Sequence, residues 1–521
     1  MTYHPRDKSS KRDLPSIINT PPQKLNALFI PEPLLLFGER GTHSDPKHGL
    51  SLFGPCFLPD QRGPSPTVIR LGIIGDRDSL DMCKSWITRC IGFINGKDKR
   101  PRLFPPFPGF EKTFRCRIEI SREWEELLTP KQIDAIINYP AFQQRVNSAV
   151  KMFTNALMNL SEKTPQPDVV ICALPKLILR PCGIERREEK GIQLSREEKE
   201  LRKEIRTHLS VGQQTLIPFD EDFLAVLLDS EGTGEFYRRL KIGAMEYTLP
   251  IQIAKIPTFV GSDNTQDDAT RAWNFCVALY YKAGGYPWRP IDIEPGTCYI
   301  GITFYKDKKK NLRTSLAQVF TYTGESLVIR GSKLDWDESK DKTPHLTEKD
   351  ANTLLSDAIK LYTNQMRTPP RRLVVHKSSR YWDDELSGFN RASENIGLVD
   401  YVAFGSHGIR LFRLGIHSPL RGTIARLQSG NYLLYTKGYV PFLGCYPGPR
   451  IPRPIEILEH HGPSSNETIC KEIFLLTKMN WNTADFSCAL PITLDFSDRV
   501  GEVMVELSDE VSPRPEFKWY M

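Results

Sequence analysis

Long hydrophobic runs, paired cysteines and phosphate-binding loops are all missing from this sequence of 521 residues. No apolar run approaches the roughly 18 to 20 residues of a membrane-spanning helix, and the N-terminal stretch MTYHPRDKSSKRDLP lacks the apolar segment of a signal peptide. These absences predict a cytoplasmic protein without a membrane span. The 11 cysteines form no CxxC pair and show no metal-ligand spacing, which favours reduced core thiols over disulfides or zinc.

The composition is that of a globular protein with a small excess of positive charge. Hydrophobic residues make up 40% and charged residues 26% of the chain, whose length suits two or three domains. The formal net charge of +7 permits a polyanionic ligand but is too small to indicate one by itself.

The stretch from Gln266 to Thr303 predicts a helix, a glycine stop, a linker and a buried strand. Apolar residues recur at helical spacing between Asp267 and Gly284, which places Lys282 in the last helical turn. The segment from Cys298 to Tyr305 is apolar, β-branched and aromatic, as a central strand should be. We therefore expect the joint between two domains in this stretch.

Strands that alternate with helices up to about residue 290 predict an α/β protein with a parallel, Rossmann-like sheet. In this first part the pattern predicts strands over Leu34–Gly38, Gly49–Gly54, Val68–Gly75 and Asp168–Leu174, a helix capped at Asp78 and Ser79, and helical text over Thr129–Glu162 with a break near Pro140. In the second part it predicts a hairpin around residues 307–311, a helix over Thr347–Met366, a strand over Arg372–His376, and a final helix and strand within Ser465–Glu506. Residues 1–24 are expected to form a flexible tail, and the charged run Glu185–Ser210 a solvated helix rather than a nucleic-acid contact.

Two segments resemble the Argonaute family, in particular the short prokaryotic Argonautes. The text YYKAGGYPW, with YIGI about ten residues later, resembles the junction between the MID and PIWI domains, and LFGERGTHSDPKHGLSLFGP resembles the opening segment of the short form. The resemblance implies a Rossmann-like MID domain over residues 25–290 and an RNase H-like PIWI domain over residues 291–521. It leaves no room for the N-terminal and PAZ domains of longer relatives.

The resemblance also implies a site for the 5′ end of a guide strand. Tyr237 matches the tyrosine that stacks on the first base, and Lys241, Gln252 and Lys282 match the residues that bind the 5′-phosphate. Each residue also has an ordinary structural explanation, since Tyr237 and Lys241 lie one helical turn apart and a lysine in a last helical turn complements the helix dipole.

One position departs from the family pattern. The polar residue one turn before the lysine is replaced by Ala278, which implies a poorer phosphate cage or compensation by a residue such as Lys255. The resemblance further implies Mg²⁺ at the guide phosphate, held with the help of the terminal carboxylate of Met521 and of Gln252.

The cleaving acids of RNase H-like PIWI domains are mostly replaced. The first acid position holds Thr303, the second holds Ser378, and only Asp498 remains acidic, whereas two metal ions need several carboxylates. The cluster Asp383-Asp384-Glu385 is interpreted as a helix start and His376 as a structural residue. The sequence therefore predicts an inactive nuclease site; the alternative is a stand-alone nuclease that uses Asp498 with acids elsewhere.

The function implied is that of a guide-binding subunit in a prokaryotic immune system. It would bind a guide, expected to be RNA, recognise complementary single-stranded DNA from an invader, and activate a partner that carries an APAZ region. The expected effector on that partner is a TIR or sirtuin-like NADase and less often a nuclease. A plain α/β nucleotide-binding protein has the least support, because no GxGxxG or P-loop sequence stands in a suitable context.

Overall fold

The structure is a computed structural model, and it describes twelve segments of the chain. These are residues 26–57, 65–185, 234–262, 265–306, 312–321, 324–329, 344–406, 409–411, 418–427, 429–448, 451–507 and 514–521, without the side chains of 305–306, 312–318, 406 and 498–499. The predicted flexible tail over residues 1–24, the predicted turn at residues 307–311 and nearly all of the charged run Glu185–Ser210 lie outside the described residues.

Sixteen strands and thirteen α-helices make up the regular structure of the described segments. The strands are β1 Ala27–Phe29, β2 Leu35–Leu36, β3 Thr42–His43, β4 Val68–Gly75, β5 Arg117–Leu127, β6 Val169–Ala173, β7 Ile251–Ala254, β8 Arg289–Pro290, β9 Thr297–Lys306, β10 Leu312–Thr321, β11 Ser326–Val328, β12 Arg372–Lys377, β13 Leu398–Ser406, β14 Thr423–Arg426, β15 Tyr432–Leu434 and β16 Ile455–His461. The helices are α1 Pro46–Phe53, α2 Arg77–Ile91, α3 Phe110–Phe114, α4 Pro130–Ile137, α5 Phe142–Ser161, α6 Lys176–Leu179, α7 Gly234–Glu246, α8 Ile256–Val260, α9 Asp268–Lys282, α10 Glu348–Met366, α11 Asp383–Ala392, α12 Asn466–Leu476 and α13 Ile492–Met504. Short 3-10 turns cover Gly38–Arg40 and Phe517–Trp519.

The first half of the chain builds a four-stranded sheet in the order β5-β4-β6-β7, with every neighbouring pair parallel. Its strands are rich in apolar residues because helices cover both faces. Helices α2 and α9 pack on the face that carries Ile69, Leu71 and Ile73, while α4, α5 and α7 pack on the face that carries Val170 and Cys172. The predicted parallel α/β arrangement is confirmed.

The second half builds a nine-stranded sheet in the order β1-β14-β15-β16-β13-β12-β9-β10-β11. Its centre is parallel, because β12 runs parallel to both β9 and β13, and the other pairs are antiparallel. The edge strand β1 comes from the beginning of the chain and pairs with β14, so residues 27–29 belong to the sheet of the second half.

The two halves share one hydrophobic core. The cluster that contains Ile69 and Trp273 continues through Tyr299 and Val374 to α12 and α13, on one face of the large sheet. Helices α10 and α11 cover the opposite face, on which Ile300 lies. A small sheet of β3, β2 and β8 ties the opening segment to the stretch that follows α9.

Most of the predicted elements are observed within a few residues of their expected ends. The strand β4 has the predicted bounds, α9 begins after Asp267 as its N-cap, and the helical text over Thr129–Glu162 divides around Pro140 into α4 and α5. None of the 11 cysteines forms a disulfide, and ten are buried, as expected of reduced core thiols.

Three predictions of local structure are wrong. The predicted strand Gly49–Gly54 is the second half of α1, because Asp45 caps the helix by accepting a hydrogen bond from the His48 N–H and Pro46 stands at its first position. The predicted strand before Glu506 is the helix α13, whose apolar residues pack against β9 rather than extend the sheet. The cap of α2 is Asp76 rather than Asp78.

In the part of the chain that the structure describes, no helix combines the length and the hydrophobicity that crossing a membrane requires.

Candidate functional site

Tyr237 and Lys241 lie one turn apart on α7, as their spacing predicts. The helix packs on α5, where the ring of Phe236 meets that of Phe153 edge to face with centroids 5.9 Å apart. The Tyr237 ring packs against the same apolar cluster, near the Glu185 carboxylate. Burial raises the pKa of the Tyr237 hydroxyl, and the nearby Glu185 carboxylate adds to the effect, so the phenol is neutral at physiological pH.

Gln252 and Lys282 come from different elements and meet directly. Gln252 lies on β7, Lys282 ends α9, and the Lys282 ammonium donates a hydrogen bond of 2.7 Å to the Gln252 amide oxygen. The chain then leaves the helix through Gly284, whose φ is 95°, and Gly285, where a Cβ would lie 2.3 Å from the Tyr280 ring. The two glycines of the motif therefore serve this sharp exit, because a side chain at either position would be strained or would clash.

The electrostatics of Lys282 are unusual for a lysine. Only 3% of the residue is exposed, and burial lowers the pKa of its ammonium group to about 7, helped by the positive charge of Lys241 and opposed by Cys172. The ammonium groups of Lys282 and Lys241 thus repel each other inside the protein. An anion placed between them would be favoured, because it would neutralise charge that burial makes costly.

The C-terminal residues complete this cluster. Lys241 donates a hydrogen bond of 2.9 Å to the backbone carbonyl of Tyr520, and both Tyr520 and Met521 are buried. Arg514 fixes the segment, because its Nε donates to the carbonyl of Met245 at 2.8 Å and its own carbonyl accepts from the Tyr520 hydroxyl at 2.7 Å. The terminal residue Met521 therefore lies beside the basic site, in the shared core.

Three of the five residues predicted for this site, Lys241, Gln252 and Lys282, are thus connected through a hydrogen bond or a charge interaction, and Met521 follows Tyr520, whose carbonyl accepts from Lys241. Tyr237 is joined to them by its helix. Ala278 is buried one turn before Lys282 and offers no polar group. Lys255 lies on the Tyr237 side, where its ammonium is 6.0 Å from the centre of the Tyr237 ring and donates to the Ile184 carbonyl at 3.1 Å.

Sequence reasoning missed Arg514 and the carbonyl of Tyr520 as parts of this site. A backbone carbonyl carries no signal in the sequence, and the Lys241 to Tyr520 contact joins residues 279 positions apart.

Two of the positions expected to hold nuclease acids lie at the same end of the central strands of the large sheet. Lys377 pairs with Ile302 in the parallel β9–β12 register, so Thr303 and Ser378 follow at the same end of the sheet. Both are buried, and Asp498 lies on α13, which packs against β9; the Asp498 side chain is outside the described ones. Because residues alternate between faces along a strand, Thr303 lies on the α13 side of the sheet together with His376, whereas Ser378 stands one residue beyond the end of β12.

His376, near the same end of β12, makes a structural contact with Thr493. Its Nδ1 is 2.8 Å from the Thr493 hydroxyl oxygen, and complete burial lowers its pKa to about 3, with help from Arg372. The ring is therefore neutral at physiological pH.

The nearby Glu385 belongs to the opposite face of the sheet. It lies in the first turn of α11, as predicted for the acidic cluster, and accepts a hydrogen bond of 2.6 Å from the Lys377 ammonium. Its carboxylate also accepts from the backbone N–H groups of Leu346 and Trp382 at 2.7 and 3.0 Å. These three donors occupy the carboxylate, which lies on the opposite face of β12 from His376.

Comparisons with known proteins agree with this architecture. No protein-family model matches the chain. The Argonaute protein of Aquifex aeolicus (strain VF5) is 22% identical over 256 residues, which are 48% of this chain and 33% of that protein.

Among solved structures, Clostridium butyricum Argonaute bound to a guide DNA and a 19-mer target DNA matches with a TM-score of 0.59 and 14% identity, over 95% of this chain and 54% of that one. Drosophila Piwi matches with a TM-score of 0.51 and 13% identity, over 95% and 56% of the two chains. The chain thus spans about half the length of these solved relatives. Sequence similarity and the mixed α/β fold together show that this chain is a homologue of the Argonaute proteins, with the fold of their MID and PIWI portion.

Proposed function

We propose that this chain holds a guide nucleic acid by its 5′-phosphate, pairs the guide with complementary single-stranded DNA, and signals to an effector on another chain. The observation that carries the proposal is the meeting of Lys241, Gln252 and Lys282 beside the buried C-terminus. A terminal phosphate carries close to two negative charges, and two ammonium groups with an amide can replace its water. We propose that Tyr237, one turn from Lys241 on the same helix, stacks on the first base.

The nucleic acids bound by the solved relatives support this part of the proposal. The Clostridium butyricum Argonaute was solved with both a guide and a target DNA, and the Aquifex aeolicus protein with an externally bound siRNA. RNA remains our expectation for the guide of this chain. Base pairing would supply sequence recognition, while the protein would contact backbone and shape.

Mg²⁺ is proposed as the counter-ion of the guide phosphate. The Gln252 amide and the Met521 carboxylate are oxygen donors of the kind that Mg²⁺ takes. Within the described segments no group of three or more His, Cys, Asp or Glu side chains could hold a metal ion, so phosphate oxygens and waters would supply the other ligands of this ion. It would neutralise part of the charge that the phosphate brings into the site.

We further propose that the nuclease position is inactive, and this is the first testable prediction. Purified protein loaded with guide and matched target in Mg²⁺ or Mn²⁺ should leave the target intact, because Thr303 and Ser378 supply no negative charge for a metal pair and Glu385 lies on the other face of the sheet. The measurement is gel electrophoresis of an end-labelled target.

The competing proposal is a nuclease that uses Asp498. Guide-dependent cuts at one fixed phosphate, lost in Asp498→Asn and kept in Asp495→Asn on the same helix, would establish that alternative and remove the sensor proposal.

The second prediction concerns the partner. A protein that recognises a target without cleaving it needs an effector activity on another chain. We propose that this effector is an APAZ-containing partner with a TIR or sirtuin-like NADase, or less often a nuclease. When this chain is reconstituted with the product of the neighbouring open reading frame, NAD should fall only with guide and complementary single-stranded DNA present. Pairing must favour the active conformation by a few kcal/mol to produce such a switch.

The control for this reconstitution is a target with mismatches along the guide. NAD loss that does not depend on pairing, or a chain that purifies and functions with no partner, would contradict the sensor role.

A further inference from the structure

Strand β1 forms one edge of the nine-stranded sheet, and one of its sides is free. Within the described residues β1 pairs with β14 alone. The Ile30 N–H and the Asn26 carbonyl form hydrogen bonds on the β14 side, of 2.9 and 3.3 Å. Because hydrogen-bonded residues alternate along an antiparallel strand, Ala27 and Phe29 point their backbone groups away from β14. These groups are available to a further strand.

The same strand exposes apolar side chains on both of its faces. Leu28 is 57% exposed and Phe29 is 51% exposed, and successive side chains of a strand point to opposite faces. An added strand would satisfy the free backbone groups and bury both side chains at once. The free edge of β1 is therefore suited to an extended segment with apolar side chains on both faces.

A cavity of about 680 Å³ lies where the chain leaves β1. Residues 30–34, which follow the strand, form one wall of this cavity. Helix α12 contributes the buried side chains of Phe474 and Leu475. Asp292 and Glu294, from the stretch between β8 and β9, complete the lining and are exposed. The cavity thus combines an apolar floor with an acidic wall.

The charge of this acidic wall is not neutralised by the described part of the chain. No described cation pairs with Asp292 or Glu294. The other charged lining residues are in ion pairs: Glu32 with Arg421 at 3.0 Å, Arg372 with Glu472 at 3.1 Å, and Lys471 with Glu467 at 2.9 Å. A segment that enters the cavity would therefore be favoured by positive charge.

The 25 residues that precede Asn26 lie outside the described residues and match this surface in composition. They contain five cations against two acids, and they are joined to β1 directly, which gives them a high effective concentration beside it. The β-branched pair Ile17-Ile18 favours an extended strand. The prolines Pro21 and Pro22, between this pair and β1, favour a turn.

The direction of such a return brings the cations to the cavity. When Ile17 lies antiparallel beside Phe29, the residues before Ile17 run beside the residues after Phe29. Arg12 precedes Ile17 by as many residues as Leu34, which lines the cavity, follows Phe29. At about 3.3 Å per residue, both lie roughly 17 Å beyond the paired residues. Pro15 falls beyond the end of β1, where its missing N–H costs no ladder hydrogen bond.

We propose that residues 11–19 of this chain dock on the free edge of β1 and in the adjoining cavity. The isoleucine pair adds a strand to β1, and Lys11 and Arg12 lie against Asp292 and Glu294. The docked segment closes one open edge of the nine-stranded sheet. This docking goes beyond the proposed function and does not depend on it, because none of these residues belongs to the candidate 5′-phosphate site.

Hydrogen exchange of the full chain, resolved to single amides, tests the docking. The Ala27 and Phe29 amides point away from β14, so an added strand is what would protect them. In wild type both should exchange at least about tenfold more slowly than in an unstructured peptide of the same sequence. The variant Ile17→Asp/Ile18→Asp loses the apolar contact and should restore the exchange rate of the peptide. Unchanged exchange of the β12 amides would show that the variant is folded.

Charge variants test the contact at the cavity. Lys11→Gln/Arg12→Gln should speed the exchange of the two β1 amides about two- to fivefold at low salt, because exposed ion pairs contribute weakly. Asp292→Asn/Glu294→Gln should have the same effect from the other side of the contact. The two changes combined should have no further effect, since each removes the same ion pairs.

The matched control is Arg6→Gln/Lys8→Gln, which removes two cations from the same end of the chain but outside residues 11–19. It should exchange like wild type. Unprotected β1 amides in wild type, protection that persists in the isoleucine variant, or an equal effect of the control would overturn the inference. Protection that appears only with the product of the neighbouring open reading frame, or only at high protein concentration, would also overturn it, because another chain would then occupy the edge.

Discussion

Replacing Lys241 and Lys282 together by methionine is expected to lower the affinity for a 5′-phosphorylated guide by about a hundredfold or more. Each ammonium group would make a charge-assisted contact with the phosphate worth about 1.5 to 3 kcal/mol, and the two contacts share one ligand and are not additive. Methionine keeps much of the length of the side chain while removing its charge. Fluorescence anisotropy with otherwise identical 5′-phosphate and 5′-hydroxyl guides measures the effect.

The ratio of the affinities for the 5′-phosphate and 5′-hydroxyl guides separates loss of phosphate binding from a general loss of guide binding or folding. In wild type the phosphate should be strongly preferred, whereas in the double variant the ratio should approach one. The exposed pair Lys131→Met/Lys163→Met is the control and should keep the wild-type ratio. Equal binding of both guides by wild type would mean that these residues hold no phosphate.

The pH dependence of the same binding follows from Lys282. In the free protein its ammonium group loses a proton near pH 7, since burial and Lys241 lower its pKa to about that value. A bound phosphate dianion favours the ammonium and raises that pKa, so binding takes up a proton above pH 7. The preference for the 5′-phosphate should therefore weaken as pH rises from about 7 to 9, by at most about tenfold per unit, and Lys282→Met should remove this dependence.

Replacing Arg372 by leucine is expected to destabilise the central strands of the large sheet by about 3 to 5 kcal/mol. Only 8% of its side chain is exposed, and it donates to Asp400 at 3.0 Å, to Glu472 at 3.1 Å and to the Ser464 hydroxyl at 3.1 Å. Loss of the guanidinium would leave the buried carboxylates of Asp400 and Glu472 without the cation that they share. Although burial alone would raise it, the pKa of Asp400 is lowered to about 2 by hydrogen bonds from His460, Ser464 and Arg372, so this group stays ionised.

Hydrogen exchange of the β12 and β13 amides is the suitable measurement, because a chain with two structural units need not unfold in one step. The control is Arg391→Leu, which breaks an ion pair with Glu348 whose partners are 67% and 40% exposed. That change should cost less than about 1 kcal/mol. Similar protection in both variants would show that the buried network contributes little to the stability of the sheet.

The local structure around the candidate site could be predicted from the sequence because its signals are short-ranged. The spacing of apolar residues and the Asp267 cap determine α9, which places Lys282 in a last turn. The spacing of Tyr237 and Lys241 sets them one turn apart on α7. The absence of acids at Thr303 and Ser378 is likewise read from the sequence, since Thr303 lies within one predicted strand and Ser378 lies just after another.

Where apolar residues recur in short runs, the sequence left the type of element open. The apolar segment before Gly54 is compatible with a strand or a helix. The Asp45 cap and Pro46 at the first helical position favour the helix α1. After Ser465 the pattern predicts a strand where α13 stands, and α13 is a helix whose apolar residues pack on the face of β9.

Long-range pairing was decided by the tertiary structure alone. Lys241 reaches the Tyr520 carbonyl across 279 positions, and β1 joins β14 near the other end of the chain. The lowered pKa of Lys282 likewise exists only when folding buries its ammonium group beside Lys241, since the charge of an isolated helix would remain in water. The sequence by itself thus determined which side chains are present and on which turn or strand they lie. Folding determined which of them are close together, because contacts between distant segments depend on how whole faces of helices and sheets pack.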